Sequence, residues 1–334
     1  MCHEKMLRVA HLCCGIGGTA LGFKEAGFVP VYANDCCELV ARTFEENLQL
    51  SVDLKDINRI DLQKLPDFEV LTASLMRQPI LMSSDQAFNN PIFKGIHRVI
   101  QYAKPKVFCL DTLYTSSLDD ENPLWCQDAM IFFEELGYTI KTVVLSDRET
   151  GGCPTSRKEQ IHLGFLDAKQ AERFKGVQPV TKKQTLNDCL QLEVEQSKAY
   201  YFDRFNPSTH YQTIQSFIPE EPGVYRLTEI YRPVKEMSAD NVKPLDLTKG
   251  TMQIFSGFEN RPNTVIRDKK GVRVPTVEEW LQIKGFPSTF QLSSKPTRQL
   301  KTLTSQYREV ALQLGLAMCP PLAKQMALAI KETF

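Results

Sequence analysis

One stretch constrains this chain more than any other: Leu12-Cys13-Cys14-Gly15-Ile16-Gly17-Gly18-Thr19-Ala20-Leu21-Gly22-Phe23. It follows a short apolar run, Val9 to Leu12, and opens an apolar-periodic segment that runs to Ala26-Gly27, which together read as strand, glycine turn and helix. Glycines there permit positive φ and the close approach of a ligand, and the open N–H groups of a helix start favour an anion or carboxylate. The turn is a candidate cofactor cradle. A tight strand-to-helix turn in a parallel α/β sheet also needs glycine when nothing binds, so the rest of the chain must decide between the two.

After the first helix, Val29 to Ala33 reads as a second strand ending at Asn34-Asp35, and Glu38 to Asn47 as a helix. Nucleotide-binding α/β folds place a carboxylate on ribose hydroxyls at the end of the second strand, which makes Asp35 a candidate ligand, with a strand-end turn or helix cap as the plainer reading. Strands are expected at Phe68 to Thr72, Val107 to Leu110, Thr139 to Leu145 and Ile161 to Phe165, with helices at Phe93 to Tyr102 and Met130 to Leu136. Strands alternating with helices imply a mostly parallel sheet covered on both faces, with ligands at the carboxyl ends of its strands.

From about Ala168 to Ser294 the alternation weakens, prolines accumulate, and Tyr200, Tyr201, Phe202, Phe205, Tyr211, Phe217, Tyr225 and Tyr231 come close together. Interleaved with Arg204, Arg226 and Arg232 they suit stacking on bases and pairing with phosphates; a small aromatic core is the simpler alternative. Between Gly151 and Leu300 there are 22 Lys and Arg against 17 Asp and Glu, in a chain that is neutral overall, an asymmetry that permits a nucleic-acid face without requiring one. Regular structure returns with a helix at Thr276 to Ile283, closed by Gly285-Phe286-Pro287, and a last amphipathic helix at Pro321 to Thr333, expected to pack on the first domain.

At 334 residues, with 42% hydrophobic and 24% charged residues, the chain has the make-up of a soluble globular protein of one large or two unequal domains. Met1-Cys2-His3-Glu4-Lys5 leads straight into the first strand, and no apolar run is long enough to span a bilayer, so a cytoplasmic or nuclear location away from membranes is expected. Ten cysteines without a secretion signal argue for free thiols. Cys13-Cys14 and Cys36-Cys37 stand at the ends of neighbouring expected strands; a soft-metal site there lacks any Cys-x-x-Cys spacing, and no metal is expected.

In order, these landmarks resemble the cytosine carbon-5 methyltransferase family, which has DNA and transfer-RNA branches. Gly15-Ile16-Gly17-Gly18 with Leu21-Gly22-Phe23 and Ala26-Gly27 is close to the family's opening motif. Asn34-Asp35 stands where the family has Asn-Glu for the ribose, and Asp56-Ile57 where an Asp-Ile pair approaches the adenine. Lys104-Pro105-Lys106 precedes the Glu-Asn-Val position, Gly285-Phe286-Pro287 matches a late Gly-Phe-Pro, and Gln306-Tyr307-Arg308, Gly315 and Pro320-Pro321 match the terminal motif in part.

The resemblance implies an α/β, Rossmann-like methyltransferase domain with a mostly parallel sheet over residues 1–167 and 300–334, and a smaller irregular target-recognition-like domain over 168–299. It implies S-adenosylmethionine or S-adenosylhomocysteine bound at Gly15, Ile16, Gly17, Gly18, Asp35, Asp56 and Gly315.

It also exposes a set of departures. The family's nucleophile is the cysteine of a Pro-Cys-Gln motif, which adds to carbon 6 of a flipped-out cytosine so that carbon 5 can take the methyl group. The stretch Ala73-Ser74-Leu75-Met76-Arg77-Gln78-Pro79 aligns there, with Met76 for the proline and Arg77 for the cysteine. A guanidinium stays protonated and is no nucleophile. The base-holding glutamate falls on Asp111, and the Gln-x-Arg-x-Arg motif on Thr155-Ser156-Arg157-Lys158-Glu159, so a supporting arginine becomes a carboxylate. The terminal Gly-Asn pair is Gly315-Leu316, His11 replaces an acidic residue before the turn, and Cys13 and Cys36 replace larger cofactor-packing side chains.

The losses concentrate in the base pocket while the turn and the two cofactor carboxylates stay. The expectation is a catalytically inactive homologue that serves as a nucleic-acid-binding, regulatory or partner subunit, on DNA or transfer RNA or beside an active methyltransferase or other protein. Two alternatives stay open: a rebuilt pocket for another S-adenosylmethionine reaction, with Arg77 holding an anion, and a scaffold that binds only protein.

Overall fold

The computed structural model describes residues 6–75, 90–113, 124–192, 194–195, 200–202, 209–228, 236–252, 263–293 and 303–334. They fall into two compact units, 1–152 with 157–181 and 317–334, and 153–156 with 182–316.

The first unit is built on a seven-stranded sheet. β1 (Arg8–Leu12), α1 (Gly18–Glu25), β2 (Val29–Asp35), α2 (Glu38–Leu48), β3 (Val52–Leu54) and β4 (Val70–Ser74) are followed by α3 (Pro91–Ala103), β5 (Val107–Leu113) and α4 (Leu124–Glu135). β6 (Thr139–Ser146), β7 (Lys158–Phe165) and α5 (Ala168–Arg173) complete the series, and the sheet order is β3-β2-β1-β4-β5-β7-β6. β7 runs antiparallel to both β5 and β6, whereas β1 pairs in parallel with β2 and with β4. The chain leaves β1 towards both edges of the sheet, so the carboxyl ends of β1 and β4 flank the crevice where folds of this kind take ligands.

The expected strands and helices of this unit are present, most of them longer than periodicity alone defines. Asn90 caps α3 through its Oδ1, which accepts from Ile92 N–H at 2.8 Å, and Pro91 follows in the first turn. One face of α3, with Phe93, Ile96, Val99 and Ile100, is buried with Leu71, Phe108, Leu110 and Phe133. The last helix, Pro320–Lys331, packs on α1 as expected. Gly22 makes this approach possible: a Cβ there would lie 2.5 Å from both Ala323 Cβ and the Pro320 carbonyl.

The second unit carries a five-stranded sheet of β8 (Tyr200–Tyr201), β9 (Gly223–Leu227), β10 (Val242–Pro244), β11 (Thr264–Asp268) and β12 (Gly271–Val274), in the order β10-β9-β11-β12-β8, with every pair antiparallel. Its hub is Arg273, fully buried, whose guanidinium donates to Asp268 Oδ2 at 3.2 Å and Glu279 Oε2 at 2.8 Å; Tyr201 O–H donates to the same Asp268 oxygen at 2.7 Å. Glu279 also closes a capping box with Thr276 at the start of the helix Val277–Ile283.

The compact units are bounded otherwise than the segments 1–167, 168–299 and 300–334. α5 lies in the first unit, where Gln170 Nε2 donates to Thr333 Oγ1 at 3.0 Å and Arg173 Nε to the Thr333 carbonyl at 2.7 Å. The helix Leu303–Leu316 lies in the second.

Candidate base pocket and cofactor cradle

The turn after β1 is shaped by backbone geometry before any ligand enters. Cys13, Gly15 and Gly17 all have positive φ, at 48°, 53° and 93°. The strand ladder continues past Leu12 through Cys14 N–H, which donates to the Asn34 carbonyl at 3.0 Å. A Cβ on Gly17 would fall 2.5 Å from Leu48 Cδ1 and 2.9 Å from Phe44 Cδ2, so this glycine serves the packing of α2. At Gly15 the same test finds no atom within 4 Å. Ile16 is buried and Gly18 starts α1, so of this group Gly15 borders open space.

Asp35 is tied to the turn directly. Its Oδ2 accepts from Gly15 N–H and its Oδ1 from Cys37 N–H, both at 2.9 Å. Burial pushes this carboxyl up, and backbone N–H bonds from Cys37, Gly15 and Cys36 pull against that. Asn34, fully buried, donates to the carbonyls of Asp53 and Lys55 and so fixes β2 against β3. Asp56 is exposed and caps the short 3-10 helix Ile57–Arg59; bonds from Asn58 hold its carboxyl below the usual range. Gly315 belongs to the second unit.

Beside the turn, His11 is buried, with Nδ1 2.7 Å from Thr72 Oγ1. Burial lowers its pKa to about 3, so the residue that replaces an acidic side chain is a neutral imidazole.

The carboxyl ends of β4, β5 and β6 and the amino end of the reversed β7 carry the second group. Ser74 and Asp111 are register partners on β4 and β5, and Ser74 Oγ donates to Asp111 Oδ2 at 2.9 Å. Asp111 is buried, and desolvation raises its pKa to about 6 against the Ser74 bond and the charge of Arg157. Arg157 Nε pairs with Glu159 Oε1, and the two side chains are 14% and 1% exposed. Burial opposes the Arg157 charge, but Glu159 and Asp147 outweigh it and hold the guanidinium pKa above its ordinary value.

Asp147, also buried, donates its N–H to the Arg157 carbonyl at 3.0 Å. The charges of Glu159, Asp147 and Asp111 all act on the one guanidinium. Sequence reading did not single out Asp147 or the Ser74 bond; Asp147 sits in the polar run Ser146 to Thr150, which carries no motif. Arg77 lies outside the described residues.

Two thiols reach the field of Asp111, and neither is disposed to attack. Cys13 is pushed up by burial and by Asp35, with Cys36 and Asp111 adding to it. Cys109 is buried and likewise raised, with its Sγ 3.3 Å from Met326 Sδ. The thiolate is the reactive form, so both are poor nucleophiles. Among the described residues no group of three His, Cys, Asp or Glu side chains could hold a metal ion, and no helix is long and apolar enough to cross a membrane.

In the second unit the base-stacking expectation is corrected at the described positions. Tyr201, Phe202 and Tyr225 are buried; Phe202 and Tyr225 pack with Ile214, Val265 and Val274, and Phe217 lies against that cluster. Arg226 donates to the Thr251 carbonyl at 2.6 Å. These residues build a core. The side chains of Tyr200 and Tyr211, and all of Arg204, Phe205, Tyr231 and Arg232, lie outside the described set.

A mostly parallel sheet with one reversed strand and a glycine turn at its switch point define an α/β protein of the doubly wound, ligand-binding kind. The chain belongs to the C-5 cytosine-specific DNA methylase family, whose model matches residues 7–332. It is 25% identical to the Type II methyltransferase M.Bsp6I of Bacillus sp. (strain RFL6) over 297 residues, 86% of this chain and 90% of that one. It is also 25% identical to the Type II methyltransferase M.MthTI of Methanothermobacter thermautotrophicus over 343 residues, 97% of each. Among solved structures it resembles the Entamoeba histolytica methyltransferase EhMeth, with a TM-score of 0.65 and 18% identity over 98% of both chains. The S. pombe Dnmt2 methyltransferase gives 0.62 and 16%, over 98% of this chain and 99% of that one. At these identities the two structures speak for the fold.

Proposed function

We propose that this chain is a catalytically inactive member of its family that acts as a nucleic-acid-binding, regulatory or partner subunit. The observation that carries the reading is the buried Arg157–Glu159 pair. Where the family keeps two arginines to hold the base, one guanidinium is engaged by the carboxylate that replaced the other. With Arg77 at the nucleophile position, addition to carbon 6 has no thiolate to begin it, and the raised thiols of Cys13 and Cys109 do not replace one. Single-turnover methylation tests the reading: no 5-methylcytosine is expected in DNA or transfer RNA, and its formation overturns the proposal.

S-adenosylmethionine fits the turn in part. The open side of Gly15, whose N–H is held by Asp35, supports a nucleoside-type ligand. Bound there, the cofactor would supply a methyl group to a nucleophile. Cys13 and Cys36 leave less side chain to pack its adenine than the family's larger residues, so weaker binding is expected. Another S-adenosylmethionine reaction in a rebuilt pocket requires this binding, and calorimetry that detects none at millimolar cofactor excludes it.

The burial of Tyr201, Phe202 and Tyr225 favours a second reading, a scaffold that binds protein only. A salt series separates the two: phosphate contacts give an affinity for DNA or transfer RNA that falls steeply with salt, and a protein-only scaffold gives none.

A further inference from the structure

The short 3-10 helix that follows Asp56 is gripped by one face of α3. Pro91, Gly95 and Arg98 stand at the spacing that lines up along a helix, and each meets the segment 57–60. The Pro91 carbonyl accepts from Asn58 Nδ2 at 3.1 Å. Glycine is disfavoured inside a helix, but at Gly95 it leaves room for Ile57, since a Cβ there would lie 2.5 Å from Ile57 Cγ2. Arg98 Nη2 donates to the carbonyls of Ile57 at 3.1 Å and Ile60 at 3.0 Å, so one guanidinium nitrogen bridges the two ends of the segment.

Asp56 is fixed from its other side. Its Oδ1 accepts from Asn58 N–H at 2.8 Å and from Asn58 Nδ2 at 3.0 Å, which sets the rotation of the carboxylate. Oδ2 has no hydrogen-bond partner among the described residues, and the side chain is exposed. Just before it, Lys55 N–H donates to the Asp35 carbonyl at 3.1 Å, and Asp35 Oδ2 holds Gly15 N–H at 2.9 Å. A short run of bonds thus joins the open side of Gly15 to Asp56.

We propose that Arg98 is a positioning residue for base selection: by holding the 57–60 segment on α3 it aims the open Asp56 oxygen at the exocyclic amine of an adenine, so that a 6-amino purine is preferred over a 6-oxo purine. The proposal deepens the cofactor reading above and rests on it. An adenine amine donates N–H to the carboxylate, whereas the carbonyl of hypoxanthine brings a second acceptor to the same place and leaves both unpaired. A hydrogen bond weakens steeply as its angle closes, so the preference depends on a carboxylate that cannot turn away.

The test measures binding of S-adenosylhomocysteine and S-inosylhomocysteine to the full chain by calorimetry. The parent chain is expected to prefer the adenine ligand about tenfold. Arg98→Gln should bring that ratio towards one by weakening the adenine ligand alone, Asp56→Ala should do the same, and the double variant should go no further than either. Where urea unfolding shows that Arg98→Gln does not fold, Arg98→Lys, which keeps the charge on a shorter reach, takes its place with the same expected loss of preference. A preference retained in the Arg98 variant, or equal weakening of both ligands, overturns the proposal, because a merely structural role weakens the two alike. A parent chain that binds both ligands equally also overturns it and leaves the cofactor reading standing, whereas binding of neither at millimolar concentration overturns both.

Discussion

Glu159 Oε1, on β7, pairs with Nε of Arg157, the residue just before that strand, and both side chains are withdrawn from solvent. The substitution that reverses a charge thus also supplies that charge with a partner. Removing one member of a buried pair leaves the other uncompensated. Glu159→Gln should therefore destabilise the chain by roughly 3 kcal/mol, read from urea unfolding. Loss of less than about 0.5 kcal/mol would place the pair among weak surface bridges.

Asp111 gives a pH signature. Its folded pKa, about 6, lies above the ordinary 3.8, so its contribution to stability is full below pH 3.8 and is lost as pH rises to about 6. The shift corresponds to about 3 kcal/mol as an order of magnitude. Asp111→Asn should flatten this fall between pH 4 and 6 while leaving the rest of the profile in place, and an unchanged fall would assign it to another group.

His11 works in the opposite direction. Buried and neutral with a pKa of about 3, it stabilises the fold fully above 6.5, and that contribution is lost as pH falls towards 3. A His11→Gln variant, close in volume and without the titration, should lose less stability on acidification than the parent chain in unfolding experiments across this window.

The approach of α1 to the C-terminal helix predicts a steric cost. A methyl at Gly22 would meet Ala323 Cβ and backbone atoms of Pro320 and Lys324 at 2.5–2.6 Å, and backbone cannot swing aside as a flexible side chain does. Gly22→Ala should cost about 2 kcal/mol or more, whereas Gly15→Ala meets no neighbour and bears only the strain of its φ.

Much of this geometry could be read from residue order. The turn, the first two strands and the alternation that follows rest on periodicity and glycine placement, and they recur within a few residues of where they were expected. β7 was harder: Ile161 to Phe165 is legible as a strand, but its start at Lys158 and its reversal between β5 and β6 are matters of tertiary pairing that no local period carries. β3 is three residues long, too short for alternation to show. The aromatic cluster was legible as aromatic and ambiguous in use, because stacking platforms and small cores call for the same residues; burial decides for Tyr201, Phe202 and Tyr225. In the pocket the substitutions at Asp111 and Glu159 were visible, whereas the part of Asp147, which follows β6 and whose charge acts on Arg157, was not.

The loss of the nucleophile and the altered pocket make separate claims. Arg77→Cys alone should give no methyl transfer, since Asp111 and Glu159 remain; robust activity from that single change would mean the rest of the pocket is intact.

The central claim is tested most directly by methyl transfer itself. Purified chain in molar excess over DNA or transfer RNA, with S-adenosylmethionine and an active family member as positive control, is assayed for 5-methylcytosine by mass spectrometry of the digested nucleic acid. The account predicts none above the no-enzyme background. 5-Methylcytosine that appears in proportion to the amount of this chain would contradict it.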